Sequence, residues 1–238
     1  MTMKSLLGAV LDAIWEDDTK TFEILLRRNR EIFAGRIEDM NTMLSVAACK
    51  GNLDIVKMLL ENGAEINSCD LKSKESPLHD AIIADNIETA IYLIDNGAAL
   101  KMQDINRRTP LHVLANKKAL GFWKKGCDLI VNRILEQGVK YDSVTIAAAF
   151  GTVGDVKMLV DSGCAVDDFL EFSQRNSLQI AAFLSNEEML NYILSETSNI
   201  NWHDYENKTA LDIATNERII ALLQNAGAES HIETRRPT

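Results

Sequence analysis

Segments of similar sequence return along this chain every 33 or 34 residues. The clearest pair lies one hundred residues apart, where Met43–Leu59 is matched by Ser143–Leu159. Aligned on one reference position, the copies begin at Gly8, Thr42, Ser76, Thr109, Asp142, Asn176 and Thr209. A constant period of this length is typical of stacked supersecondary units, so it constrains the whole fold before any single helix is assigned.

Each copy carries the signals of two helices. Ser76-Pro77 is typical of a helix start, because the Ser oxygen can accept from a free N–H group and Pro has no N–H to satisfy. The pair Ala47 and Ala48 would let neighbouring first helices approach closely. Apolar residues of the second segment are spaced to bury one helix face. Glycines that could form left-handed C-caps follow the second segment: Gly63, Gly97, Gly138, Gly163 and Gly227.

The openings Ser76–His79 and Thr109–His112 resemble the T-P-L-H motif of ankyrin repeats, and Asn62-Gly63-Ala64 resembles the family's helix-ending N-G-A. The resemblance implies an all-α ankyrin-repeat solenoid of stacked antiparallel helix pairs with short β-turn fingers. It would cover residues 1–228 as a single domain, with residues 229–238 as a flexible tail. In this family the motif His ties adjacent turns by hydrogen bonds, so His79 and His112 are not expected to bind metal or act in catalysis.

Repeat four departs from the pattern. Gly138 comes 29 residues after Thr109, whereas the spacing in repeats two and three is 21, so eight residues are inserted, near 120–127. The following finger is shortened to 138–142. Two interpretations stay open for Trp123 in the insertion: it packs against neighbouring repeats, or it is exposed and contacts a partner.

Ankyrin stacks usually bind partners on a concave side made of finger tips and exposed positions of the inner helices. Carried onto this chain, those helix positions include Asn116 and Ala149. Large apolar residues at such positions, and aromatic residues set among carboxylates in the last two fingers, indicate partner contact. For Phe169 and Phe172 the alternative is that they cover the gap left by the shortened finger. The partner-binding candidates are Trp15, Trp123, Phe150, Asp167, Asp168, Phe169, Phe172, Phe183, Leu184, Trp202, Asp204 and Tyr205.

The formal charge of −10 and the pI of about 4.9 argue against nucleic-acid binding, because an acidic surface repels phosphates. A basic partner protein would complement this charge; alternatively, the charge only keeps the protein soluble. The four cysteines have no paired spacing and read as reduced thiols of a cytoplasmic protein. No apolar run approaches the roughly 18 residues needed to span a membrane. No catalytic, metal-binding or cofactor-binding motif occurs, so no cofactor is expected.

The sequence therefore predicts a non-catalytic protein that binds a partner through repeats four to seven and is a monomer when unbound. Because the chain is little more than the repeat stack, we expect it to inhibit, neutralise or bridge by itself, for example as an immunity or inhibitor protein that masks a basic toxin or enzyme. The alternative within the same class is a secreted effector that engages host proteins. A third, less favoured hypothesis is an enzyme with an unrecognised site near the insertion.

Overall fold

The computed structural model describes residues 3–231 as fifteen α-helices joined by turns, with no β-strand in that range. The helices are α1 (Met3–Trp15), α2 (Thr19–Arg28), α3 (Arg30–Ala34), α4 (Ile37–Lys50), α5 (Leu53–Glu61), α6 (Pro77–Ile83), α7 (Ile87–Asp95), α8 (Pro110–Ala119), α9 (Cys127–Glu136), α10 (Val144–Phe150), α11 (Val153–Asp161), α12 (Ser177–Phe183), α13 (Glu187–Glu196), α14 (Ala210–Ile213) and α15 (Glu217–Asn225). The expected all-α, repeated helix-pair architecture is confirmed.

The chain divides into two compact units. Unit 1 comprises Met1–Val113 and Lys124–Val139, and unit 2 comprises Leu114–Trp123 and Lys140–Thr238. In unit 1 the inner helices α1, α4 and α6 pack in sequence, as do the outer helices α2, α5, α7 and α9. In unit 2 the inner helices are α10, α12 and α14, and the outer helices are α11, α13 and α15.

Small side chains form the centre of both stacks. Ala47 and Ala48 in unit 1, and Ala147 and Ala148 in unit 2, are buried as the spacing predicts. The outer helices contribute branched side chains such as Ile55, which is fully buried. All five glycines assigned to helix ends have positive φ angles, between 81° at Gly138 and 98° at Gly63, so they are the left-handed C-caps that the sequence indicates.

Side-chain N-caps occur at three of the repeat reference positions, whereas Asp142 and Thr42 do not cap a helix. The side chains of Ser76, Asn176 and Thr209 accept from backbone N–H groups three residues on. In repeat five the N-cap is Ser143, which accepts from the N–H of Ile146, so the reference at Asp142 is one residue too early. For the same reason Ala149, expected at an exposed helix position, is buried.

Repeat two starts earlier than its motif suggests. The reference position of this repeat is Thr42, but α4 begins at Ile37. Thr42 lies inside the helix and donates its hydroxyl hydrogen to the carbonyl of Glu38 at 3.0 Å. The short helix α3 occupies the stretch in which other repeats have a finger.

The motif His joins neighbouring turns, as the family resemblance implies. In His79, Nδ1 accepts from the backbone N–H of Ser76 at 3.3 Å, and Nε2 lies 3.0 Å from the carbonyl oxygen of Arg108 in the next finger. Gln179 reproduces both bonds: its Oε1 accepts from the N–H of Asn176 at 3.1 Å, and its Nε2 donates to the carbonyl of Lys208 at 2.6 Å. The tie therefore needs one acceptor and one donor, and not an imidazole.

The first residues of the expected tail are attached to repeat seven. The carbonyl of Glu229 accepts from the Thr209 hydroxyl at 2.9 Å, and the N–H of His231 donates to Asp212 at 3.0 Å. The tail as expected began at 229; its remainder, 232–238, lies outside the described residues. Between residues 3 and 231 no helix combines the length and the apolarity that crossing a bilayer requires.

Candidate functional site

Two pairs of fingers, one in each unit, share the same backbone design one hundred residues apart. The longer finger of each pair closes by a backbone hydrogen bond, from Asp70 to Glu75 at 3.0 Å in unit 1 and from Leu170 to Arg175 at 2.9 Å in unit 2. The shorter finger spans 104–108 or 204–208 and closes in the same way at 3.0 Å in both.

The two fingers of each pair are joined at their tips. In unit 1 the N–H of Ile105 donates to the carbonyl of Ser73 at 2.7 Å, and in unit 2 the N–H of Tyr205 donates to the carbonyl of Ser173 at 3.2 Å. Each pair is therefore one fixed ledge and not two independent loops. We call residues 171–174 with 205–207 the acidic fingertips, and residues 71–74 with 105–107 the basic fingertips.

A buried aspartate holds each shorter finger. Asp204 accepts from the N–H groups of Glu206 at 2.9 Å and Lys208 at 3.0 Å, and its side chain is completely buried. Asp104 has the same role in unit 1. Asp204 is therefore not available to a partner, which corrects its place among the sequence candidates: the turn consumes the carboxylate internally.

Two aromatic candidates project from the acidic fingertips. Phe172 is 61% exposed and Tyr205 is 53% exposed, and both lie beside carboxylates, Glu171 and Glu206. Glu206 also forms an ion pair with Lys208 at 2.8 Å, and this hydrogen bond lowers the pKa of Glu206. Glu171 is exposed and forms no ion pair within the described part of the chain.

Phe169 and Trp202 lock the two fingers of unit 2 together. Their rings stack with centroids 5.1 Å apart, and the indole N–H of Trp202 donates to the carbonyl of Gln174 at 2.7 Å. Phe169 keeps 39% of its surface exposed, whereas Trp202 is half-buried. The stack positions the fingertips, and only the outer part of Phe169 is free for contact.

The two aspartates at the base of the first finger in unit 2 differ in their use. Asp167 is half-buried and accepts from the hydroxyls of Thr197 and, at 3.2 Å, of Ser198. Asp168 is exposed and accepts from the N–H of Phe169 at 2.8 Å. Asp167 therefore braces the finger, and Asp168 presents charge to solvent.

The part of the repeat-four insertion that ends at Trp123 packs inside unit 2. The ring of Trp123 lies 5.6 Å from that of Phe150, centroid to centroid, and both residues are half-buried. The ammonium of Lys118 lies 4.9 Å from the Phe150 ring and donates to the carbonyl of Ala149 at 2.7 Å. This geometry favours the packing interpretation of Trp123, while its neighbour Phe122 is 66% exposed.

Arg175 is a residue that sequence reasoning missed. Its guanidinium donates to Asp204 at 3.0 Å and to the carbonyl of Ala119 at the end of α8, and only 7% of its side chain is exposed. Asn116, on the same helix, accepts from the N–H of Ser173 at 3.2 Å. Asn116 is thus buried, not exposed as expected. The end of α8 therefore contacts the finger between repeats five and six directly. The shortened finger 138–142 lies between them in the sequence but does not separate them in the structure.

The remaining candidates lie on inner helices. Phe183 and Leu184 are half-buried at the end of α12, and the guanidinium carbon of Arg175 lies 5.5 Å from the Phe183 ring. Trp15, in unit 1, is 61% exposed and carries the ammonium of Lys50 over its ring at 4.2 Å. Trp15 is therefore on a different unit from the other candidates.

Two titratable residues of the inner helix α6 have shifted pKa values. Burial lowers the pKa of His79, and burial, opposed by a hydrogen bond from Ser45 and assisted by Glu75 and Asp70, raises the pKa of Asp80 to about 7. Both residues are on the inner helix α6 and take part in hydrogen bonds within the stack. In the described part of the chain no group of three or more His, Cys, Asp or Glu side chains is arranged to hold a metal ion.

Comparison with known proteins agrees with the repeat geometry. Residues 44–145 match the family model for ankyrin repeats in three copies. Over 185 residues, 74% of this chain, the sequence is 26% identical to the transient receptor potential cation channel subfamily A member 1 homolog of Caenorhabditis elegans. The chain spans 14% of the length of that relative. The spacing, the capped helix pairs and the turn-tying His79 agree with this match, so residues 44–145 carry ankyrin repeats and the rest of the chain is built on a similar pattern.

Proposed function

We propose that this chain binds a basic segment of a partner protein on the acidic fingertips of unit 2. Ankyrin repeats are protein–protein interaction modules, so binding a protein is the general function. The observation that carries the specific proposal is the exposure of Phe172 and Tyr205 beside Glu171 on one ledge.

The ledge is organised before a partner arrives. The Phe169–Trp202 stack and the bond between Tyr205 and Ser173 fix both fingers, and buried Arg175 holds them to α8. Less conformational entropy is lost on binding when the contact residues are already ordered. Exposed aromatic side chains on such a support are favourable anchors, and truncation of an anchor typically costs about 2 kcal/mol or more of binding free energy.

The negative charge on and beside the acidic fingertips favours a basic partner. Asp168 and Glu171 are exposed, and the chain as a whole carries a net charge of −10. Carboxylates at the rim of an interface mainly accelerate encounter with a basic protein and exclude acidic ones. Phe183 and Leu184, half-buried on the neighbouring inner helix, would extend the apolar part of the contact.

The biological role that fits this mode of binding is inhibition. A protein that covers a basic surface of a toxin or enzyme blocks access to it without any catalytic group of its own. We propose that the chain acts in this way in the cytoplasm and is a monomer until it meets its partner.

The test is co-purification of partners by the wild-type chain and by the double variant Phe172→Ala, Tyr205→Ala, followed by mass spectrometry and titration of the recovered partner. The matched control is Leu129→Ala, Met158→Ala, which removes two exposed apolar side chains that lie outside both pairs of fingers. We expect the first variant to weaken binding by about 30-fold or more, and the control to leave it unchanged. Full affinity of the folded first variant, or recovery of acidic partners alone, would contradict the proposal.

A further inference from the structure

The two fingertip ledges have one backbone design but opposite charge. The basic fingertips read Leu-Lys-Ser-Lys at 71–74 and Ile-Asn-Arg at 105–107. One hundred residues later, the acidic fingertips read Glu-Phe-Ser-Gln and Tyr-Glu-Asn. Among these tip residues, unit 1 presents three cations and no carboxylate, whereas unit 2 presents two carboxylates and no cation.

Two carboxylates of the unit 1 fingers, those of Asp70 and Asp104, accept hydrogen bonds within the turns. Asp70 accepts from the N–H groups of Lys72 at 2.8 Å and Ser73 at 2.7 Å, and these bonds lower its pKa. Asp104 is buried and pairs with the guanidinium of Arg108 at 2.5 Å. Asp104 is therefore buried and paired, whereas Asp70 is exposed and offsets part of the charge of the three cations at the tips.

The cations at the tips are exposed, and one of them, Lys72, lies close enough to the Asp70 carboxylate to help lower its pKa. Lys72, Lys74 and Arg107 are all exposed, and none of them forms an ion pair within the described part of the chain. In a chain with a net charge of −10, three such cations on one fixed ledge form a local positive field.

Two apolar side chains stand among these cations. Leu71 is 95% exposed and Ile105 is 59% exposed, and the bond from the Ile105 N–H to Ser73 holds the two tips together. Packing within unit 1 does not require an apolar side chain at Leu71, because it is almost fully exposed and the corresponding residue of unit 2 is Glu171. Exposed apolar residues that packing does not require indicate a contact surface.

We propose that the basic fingertips are a second docking surface, which takes an acidic protein segment bearing apolar side chains. The cations would pair with its carboxylates, and Leu71 and Ile105 would meet its apolar groups. A protein segment is favoured over a nucleic acid, because the apolar side chains have no role against a phosphate backbone and the remainder of the chain repels it. This surface is independent of the basic partner proposed for unit 2.

The experiment replaces the residues of the basic fingertips with those of the acidic fingertips from the same chain. The variant L71E/K72F/K74Q/I105Y/N106E/R107N places the unit 2 tip sequence on unit 1, and it keeps Asp70, Ser73 and Asp104, which hold the turns. A random peptide library displayed on phage is selected against immobilised wild-type chain and against the variant. Circular dichroism and urea unfolding show whether the variant retains the fold, which the shared backbone design leads us to expect.

We expect wild-type chain to recover a class of peptides rich in Asp, Glu and apolar residues, and the exchanged variant to bind these peptides at least tenfold more weakly. The variant F172A/Y205A should keep the acidic class, so failure of the unit 2 proposal is distinguishable from failure of this one. The inference is overturned if the peptides lost on exchange are not acidic. It is also overturned if no peptide depends on the ledge, if the ledge binds only phosphatidylserine vesicles, or if sedimentation shows that a second copy of the chain occupies it.

Discussion

The Nε atom of Arg175 donates to Oδ2 of Asp204 over 3.0 Å, and both side chains are almost completely removed from solvent. The two residues belong to consecutive fingers of unit 2, and Arg175 also binds the carboxyl end of α8. One buried pair thus connects the inserted part of repeat four to the ledge proposed to bind a partner.

Replacing Arg175 with Ala should destabilise unit 2 strongly, since Asp204 would be left as an uncompensated buried charge. Losing one partner of a buried ion pair costs about 3–5 kcal/mol. The control is Arg218→Ala, which breaks an exposed pair with Glu187 at 2.9 Å and should cost less than about 1 kcal/mol. Urea unfolding followed by circular dichroism measures both, and equal effects of the two substitutions would show that the buried pair has no special weight.

Removing the N-cap of α10 tests the corrected start of repeat five. Ser143→Ala should destabilise the protein by about 1 kcal/mol, because the N–H of Ile146 loses its acceptor. Thr42→Ala is the matched control: Thr42 lies inside α4 and caps nothing, so its loss should have little effect. If thermal melting ranks Thr42→Ala as the more damaging change, the helix starts are misassigned.

Asp80 should oppose folding at alkaline pH. Its folded pKa of about 7 lies above the ordinary value of 3.8, so the folded state binds more protons between these limits. Stability is therefore lost as pH rises through 7. Asp80→Asn should be more stable than wild type at pH 8, and this difference should disappear as pH falls towards 4. Urea midpoints across pH 4–8 provide the measurement, with a pH-independent difference as the contrary result.

Asp212 should behave in the opposite sense. Burial acts to raise its pKa, but hydrogen bonds from Ser230, from the N–H groups of Thr209 and His231, and from the Thr209 hydroxyl lower it to about 2. Its stabilising contribution is present above 3.8 and is lost as pH falls through 2. Urea midpoints should show the wild type losing its advantage over Asp212→Asn between pH 4 and 2, with Ser230→Ala reducing that advantage in part. An advantage that persists at pH 2 would contradict the assignment.

Much of the fold follows from sequence because period, caps and small residues are local signals. Ser76 and Gly63 occupy the predicted positions, since a helix end needs a particular acceptor or φ angle whatever surrounds it. The candidate site is less predictable. An aspartate such as Asp204 is usually found at the surface. Its burial depends on a turn that closes around it and on Arg175, 29 residues away.

The packing of Trp123 against a neighbouring repeat is likewise set by distant residues and not by local sequence. Its contact with Phe150 depends on the lengthening of α8, which brings the insertion against the next inner helix of unit 2. Exposure at Phe172 and Tyr205, in contrast, follows from their position at the tip of a turn. The repeat of this turn at an interval of one hundred residues was the signal that could have drawn attention to Leu71 and Ile105 as well.

The hydrogen bonds of His79 and Gln179 have a consequence for how such repeats are recognised. Histidine and glutamine differ in shape, charge and titration, yet each offers an acceptor towards the cap and a donor towards the next finger. The family sequence model matches residues 44–145, a range that does not include Gln179. A search that accepts any side chain with a suitably placed acceptor and donor would include Gln179. Degenerate repeats are therefore better recognised by the hydrogen bonds that a side chain can form than by the identity of the residue.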